Sequence, residues 1–312
     1  MQSLQQRALR EWRIPPSRCC AFTCPSLKAP QLRAGLVVSK AIAPGQEKAV
    51  FSIPESKDEA VKVSAAALLG QVKQLKGPKK AKKGFGAAAT SSSPGTRFSV
   101  ELPLASDNPA ELAALATDLL AALPAASTAG ACIVCASEQL AAAVQAARSS
   151  GGRQGGGAVL SLRAACQADS LSGPLLLLAP ATSDVALVEQ LLDEVWVGPW
   201  ALTVNPDWHT NTPAAYQGLV ASFEAAYSFL PIATQGLVRA EGAVLRQLSG
   251  SAAASPWRVL LKEGEQFVQV GQMKRRPSQS DLELAFMNAR AASSPLTSLV
   301  KGVKGIMDKG KK

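Results

Sequence analysis

Few residues in this chain have the type and spacing that chemistry needs. Cys132-Ile133-Val134-Cys135 has the spacing of a redox or metal-binding pair. A redox pair needs a helix N-terminus or a nearby cation to lower the thiol pKa. This pair lies inside an apolar run that reads as a strand, where residues three apart point to opposite faces. Both therefore read as structural cysteines. A zinc site needs a second ligand pair, and Cys166 with the single His209 supplies none at a recognised spacing. The run Gly151-Gly152-Arg153-Gln154-Gly155-Gly156-Gly157 has the look of a phosphate loop. It lacks the Lys-Ser/Thr that reaches phosphate and metal, and it follows a helix and precedes a strand. That order does not present helix N-terminal amides, so the run reads as a flexible connection.

Ala179-Pro180-Ala181-Thr182-Ser183-Asp184 follows a strand and precedes a helix. Ligands of open α/β sheets favour that edge. The loop holds no paired carboxylates and no nucleophile–base pair, and no GxSxG elbow occurs. Histidine-based catalysis would rest wholly on His209, which reads as a surface residue of a polar loop. Asn205, Trp208, Tyr227, Arg246, Trp257, Arg275 and Arg276 form a candidate groove for a partner. The competing reading of the same residues is hairpin packing with solvated arginines. No catalytic, cofactor or metal set emerges.

These residues hang on a βαβ unit from Gly173 to Trp208. Leu175 to Ala179 is a short apolar run suited to a strand buried on both faces. Val185, Val188, Leu191 and Leu192 recur at helical steps, and Trp200 to Val204 is a second apolar run. Further pieces fit beside it. Ser56 and Glu59 open a helix over Pro54 to Leu75 with capping-box spacing. Arg97 to Leu102 alternates as a half-buried strand should. Asn108, Pro109 and Glu111 open the next helix. Ala131 to Ala136 reads as a strand, Glu138 to Ala147 as a helix capped by Ser137, and Ala158 to Leu162 as a third apolar strand. Tyr216 to Ala226 reads as a short helix and Tyr227 to Ala233 as extended. Gly242 to Leu248, Trp257 to Leu261 and Gln266 to Val270 read as strands, the last two a hairpin through Lys262-Glu263-Gly264-Glu265. Ser278 opens a helix. The fold expected is α/β, a mainly parallel sheet flanked by helices with a C-terminal antiparallel β-hairpin extension.

Charge is unevenly spread. The net +10 comes from the flanks. Residues 1–96 carry 16 basic and 5 acidic groups, residues 97–290 carry 12 and 17, and residues 291–312 carry 5 and 1. A body this acidic argues against a nucleic-acid-binding core. Residues 1–46 contain seven Lys or Arg and one acid, the composition of an organelle transit peptide. Residues 47–96 read as an N-terminal helix and a basic linker, and 97–290 as the α/β domain. The linker lysines Lys79 to Lys83 are a solvated loop or a contact for anionic lipid or RNA phosphate. Residues 291–312 read as a basic amphipathic tail helix, in which Lys301, Lys304, Ile306 and Met307 are candidates for membrane or partner docking.

Several stretches in order resemble one family, a plant, algal and cyanobacterial domain of unknown function that includes Low Photosystem II Accumulation protein three. A similar domain is fused to a chloroplast adenylate kinase. The matching pieces are Pro54-x-Ser56-x-x-Glu59-Ala60, Arg97-Phe98-Ser99-Val100-Glu101-Leu102-Pro103-Leu104, the strand ending Ala179-Pro180, and Asn205-Pro206-x-Trp208. They continue with Phe223-x-x-x-Tyr227-x-Phe229-x-Pro231, Gly242-x-Val244-Leu245-Arg246, Trp257-x-Val259 and Arg276-Pro277-Ser278. The Ala/Gly enrichment and the glycine run depart from the family. The resemblance implies a non-enzymatic protein of the chloroplast stroma that meets the thylakoid and assists photosystem II assembly, with photosystem II core subunits or other assembly factors as partners. It carries over no catalytic residues and no cofactor. The rival expectation is a nucleotide- or small-molecule-binding module, or an enzyme, using the loop after Ala179.

Overall fold

The computed structural model describes residues 50–51, 53–76, 95–106, 108–150, 157–209, 212–235, 239–250 and 254–293. The transit-peptide segment, Lys79 to Lys83, Gly151 to Gly156 and the tail residues Lys301, Lys304, Ile306 and Met307 lie outside the described residues. The described chain divides into two compact units. The first holds the described residues of Pro54–Leu230 and Arg246–Ser255, the second those of Pro16–Ile53, Pro231–Leu245 and Pro256–Lys312.

In chain order, β1 (Val50–Phe51) belongs to the second unit. The first unit opens with α1 (Lys57–Lys76). Glu59 N donates to Ser56 Oγ at 3.2 Å, and the Glu59 carboxylate accepts from Glu55 N at 2.8 Å. This is the expected capping box, shifted by one residue. Next come β2 (Thr96–Glu101), α2 (Pro109–Ala122), β3 (Cys132–Cys135), α3 (Glu138–Ser150) and β4 (Val159–Ser161). Asn108 caps α2 by accepting from Glu111 N at 2.8 Å. Then follow α4 (Leu162–Cys166), β5 (Leu175–Leu178), α5 (Val185–Gln190), β6 (Trp200–Val204) and α6 (Gln217–Ala221). After α5 the chain widens over Leu191–Val195, where Trp196 N reaches back five residues to Leu191 O at 2.8 Å.

The strands of the first unit run parallel in the order β7 (Glu224–Gln235), β2, β6, β5, β3, β4. Strand side chains alternate. Cys132, Val134, Leu175, Leu177 and Ala201 pack with α4, α5 and α6 into one core. Ile133, Leu176, Leu178, Leu202 and Val204 face the other way and are also buried. That side is left to α1, α2 and α3, which pack on one another. The architecture is α/β, with a mainly parallel sheet flanked by helices. Among the described residues no helix is long and apolar enough to cross a membrane.

The second unit is antiparallel. It takes the end of β7, most of β8 (Arg239–Gln247), then β9 (Trp257–Glu263), β10 (Gln266–Met273) and α7 (Gln279–Ser293). The order is β1, β10, β9, β8, β7. The extension is thus wider than one hairpin. Helix α7 seats Ala285 and Phe286 against Ala240, Val259 and Leu261. Two local expectations shift. The helix expected to reach Ala226 stops at Ala221, because β2 has an open edge that pairs with the chain from Glu224 onward. The third apolar run yields only three strand residues, because Ser161 accepts from Ala164 N and opens α4.

At Gly242 the Phe286 ring of α7 packs directly on the backbone of its sheet. A Cβ there would lie 2.2 Å from Leu260 O and 2.7 Å from the Phe286 ring. Backbone cannot yield that much, so Gly242→Ala should destabilise the protein by about 1–3 kcal/mol. Urea unfolding reads this out, and an unchanged midpoint would refute the packing assigned to α7.

Candidate functional site

Strand β2 is paired on both edges, and from Phe98 to Glu101 its side chains are covered on both faces. Phe98 and Val100 face one side, Ser99 and Glu101 the other, and all four are buried. Thr203 of β6 lies opposite Ser99 and is buried too. On the other edge the register slips. Phe98 and Ser99 pair with Glu224 and Ala225, then Val100 and Glu101 pair with Tyr227 and Ser228. One extra residue, Ala226, makes this bulge. In unbroken register Glu101 would face Tyr227. The bulge instead brings a hydroxyl to the carboxylate and turns the phenol to the opposite face.

Ser228 Oγ donates to Glu101 Oε2 at 2.6 Å, and Glu101 Oε1 lies 2.7 Å from His209 Nε2. The Glu101 side chain is 4% exposed and that of His209 23%. A carboxylate so buried costs several kcal/mol to desolvate unless its oxygens are matched. The serine hydroxyl and the imidazole supply that match.

The loop after β6 delivers the imidazole. Asn205 has φ 49°, and its N–H donates to Val100 O at 2.9 Å. Its side chain behaves as one more strand residue, with Oδ1 accepting from Leu102 N and Nδ2 donating to Leu102 O, each at 2.8 Å. Asn tolerates the left-handed region better than most residues. Trp208 then anchors the loop in the core, its ring 5.4 Å from that of Phe223. The chain next reaches His209.

The neighbouring loop repeats the device. Ala179 ends β5 at φ 52°. Ala179 N donates to Val204 O at 2.8 Å, Asp207 N to Pro180 O at 2.8 Å, and Thr182 N to Asp207 O at 3.0 Å. Ala181 N is bonded to the Asp184 carboxylate at 2.9 Å. The amides of Ala179, Ala181 and Thr182 at this edge are therefore engaged within the protein.

A buried carboxylate that fixes a partly exposed imidazole is a proton-handling arrangement. It stands at the carboxyl end of parallel strands, where α/β sheets bind ligands. Ser228 is buried, and its hydroxyl donates to Glu101 and not to the imidazole. Among the described residues no three His, Cys, Asp or Glu side chains cluster to hold a metal ion.

The residues expected in a groove divide between the units. Asn205, Trp208, Tyr227 and Arg246 belong to the first, Trp257, Arg275 and Arg276 to the second. Trp208, Tyr227 and Trp257 are buried. Trp208 Nε1 and the Tyr227 hydroxyl have no hydrogen-bond partner among the described residues. Burial, aided by the Glu59 charge, pushes the Tyr227 hydroxyl pKa up. Arg246 pairs with the Glu224 carboxylate and donates from Nε to Ser255 O at 3.1 Å. Arg276 lies over the Trp257 ring at 5.4 Å, and Arg275 is exposed. Burial pushes the Cys132 thiol up to about 11. Burial and the neighbouring Cys132 push Cys135 up to about 12. Such thiols are poor nucleophiles near neutrality, in keeping with a structural role.

Sequence reasoning missed Glu101 and Ser228. Glu101 read as the outward side of a half-buried strand, and the bulge that aligns Ser228 leaves no mark in composition. The one usable signal was the sole histidine, directly after Asn205-Pro206-Asp207-Trp208.

A family model described as a domain of unknown function, DUF1995, matches residues 54–284, a span that contains Glu101, His209 and Ser228. No curated protein and no solved structure matches the chain.

If the carboxylate and imidazole depend on each other, a double-mutant cycle of Glu101→Gln and His209→Asn should return a coupling of about 1–3 kcal/mol in urea unfolding. Additive effects would mean that the two side chains are neighbours only.

Proposed function

The chain belongs to the DUF1995 family, and from that premise we propose that it is a non-enzymatic chloroplast protein of the type of Low Photosystem II Accumulation protein three. It serves as an assembly or accumulation factor for photosystem II at the stromal face of the thylakoid. Its partners are photosystem II core subunits or other assembly factors. The observation that carries this reading is the division of charge. Over the described residues the first unit has 8 Lys or Arg against 14 Asp or Glu, the second 7 against 5. Basic segments flank both, with five lysines in residues 291–312. Basic parts of such a molecule are drawn to an anionic surface.

The expected outcome is a mature protein that sediments with thylakoids at low salt, leaves them at about 0.5 M salt, and co-purifies with photosystem II core subunits. Recovery from the soluble stromal fraction alone at low salt, without those subunits, would end this reading.

The Glu101–His209 pair favours a second reading, a small-molecule-binding module or enzyme working at the carboxyl edge of β2 and β6. The engaged amides of the Ala179 to Asp184 loop count against nucleotide phosphate as its ligand. A thermal-shift screen separates the two. The assembly-factor reading expects no shift with nucleotides, whereas a concentration-dependent rise lost in His209→Asn would favour the second.

A further inference from the structure

Resting on the membrane-facing part of the proposed function, we propose that the second unit docks on an anionic lipid surface through the outer face of α7 and the cationic segment that precedes it. Helix α7 turns Ala285 and Phe286 to its sheet, with Leu282 and Ala289 packed against the same core. Leu284 and Met287, three residues apart and so neighbours on one stripe, stand on the other side. They are 47% and 38% exposed, two of the three exposed large apolar residues among those described.

The surroundings identify the occupant. From Gln272 to Ala292 the chain carries four cations, Lys274, Arg275, Arg276 and Arg290, against two acids, Asp281 and Glu283. Both acids lie near the start of α7 and are hydrogen-bonded there. Asp281 accepts from Ser278 N at 2.9 Å and Glu283 from Gln279 Nε2 at 3.1 Å. Hydrogen bonds from Ser278, helped by the Arg275 charge, lower the Asp281 pKa.

The charge balance of the hairpin differs between its ends. Glu263 and Glu265 sit at its tip beside Lys262, which pairs with Glu241 at 3.0 Å. Lys274, Arg275 and Arg276 follow the far end of β10, where Arg258 pairs with Gln272. Eight residues of strand separate the two ends by about 25 Å, more than twice the screening length in physiological salt. An anionic bilayer therefore attracts one end of this unit while the other stays in water. Two apolar side chains beside the cations are what the interfacial region of a bilayer accepts.

The test is sedimentation of the full chain with vesicles of phosphatidylcholine containing about 30% phosphatidylglycerol, at about 0.1 M salt. The unsubstituted protein should sediment with these and not with vesicles of phosphatidylcholine alone. Leu284→Ser with Met287→Ser, and separately Lys274→Glu with Arg275→Glu, should each weaken partitioning about tenfold or more. Both pairs are exposed, so melting should match the unsubstituted protein. If the apolar pair melts early, the charge pair alone decides. Three results would overturn the proposal: no binding to the anionic vesicles, unchanged binding by the variants, or a loss produced only by Lys301→Glu with Lys304→Glu. Each leaves the assembly-factor reading standing, because co-purification with photosystem II subunits reads that independently.

Discussion

A strand paired on both edges and covered on both faces has no side open to water. Strand β2 is in that position, between β6 and β7, and yet every second residue from Arg97 to Glu101 is polar. Each must find its partners inside the protein, since a buried charge or hydroxyl left unmatched costs more than most single contacts return. Arg97, partly exposed, reaches Asp193 and Ser222, each at 3.2 Å, and its buried Nε has no partner among the described residues. Glu101 takes Ser228 and His209. The polar row thereby ties the turn after α5, the end of α6, strand β7 and the loop after β6 to one central strand. Much of the first unit's geometry follows from satisfying those side chains.

The strand ends show how local backbone cost is met. Ala179 and Asn205 close adjacent strands in the left-handed region, at about 1–2 kcal/mol for a residue with a Cβ. Side-chain and backbone bonds between the two loops hold both turns. The turns aim the chain back across the sheet edge, and this carries Trp208 into the core and His209 to the carboxylate. Strain at such positions persists only where the surroundings over-determine it. Here the surroundings are two zipped loops and a buried indole.

Charge is arranged on a larger scale than the pair. Over the described residues the parallel unit is acidic and the antiparallel unit mildly basic, and within the latter three consecutive cations follow one end of a hairpin. Exposed charges contribute little to folding energy. Their distribution instead sets which surfaces the molecule approaches, and through which end. The two themes are separate. Buried polar groups organise the parallel unit, while exposed charges mark the surface of the antiparallel one.

Most elements were legible in the sequence because their signals are local. Helix α2 needed only Asn108, Pro109 and Glu111, and β5 only its four leucines. The order of segments along one chain made the α/β class readable. Three things were decided by tertiary structure alone. The polar side of β2 looked solvent-facing, because alternation reports two faces and says nothing of what covers them. The helix expected past Ala221 gave way to β7, because an unfilled sheet edge outweighs weak helical propensity. Glu101, His209 and Ser228 meet across more than a hundred residues of sequence through a one-residue bulge. Side chains alternate with period two, so a single inserted residue decides whether a serine or a tyrosine faces the carboxylate. No local pattern records that choice. It exists only once the strands are paired.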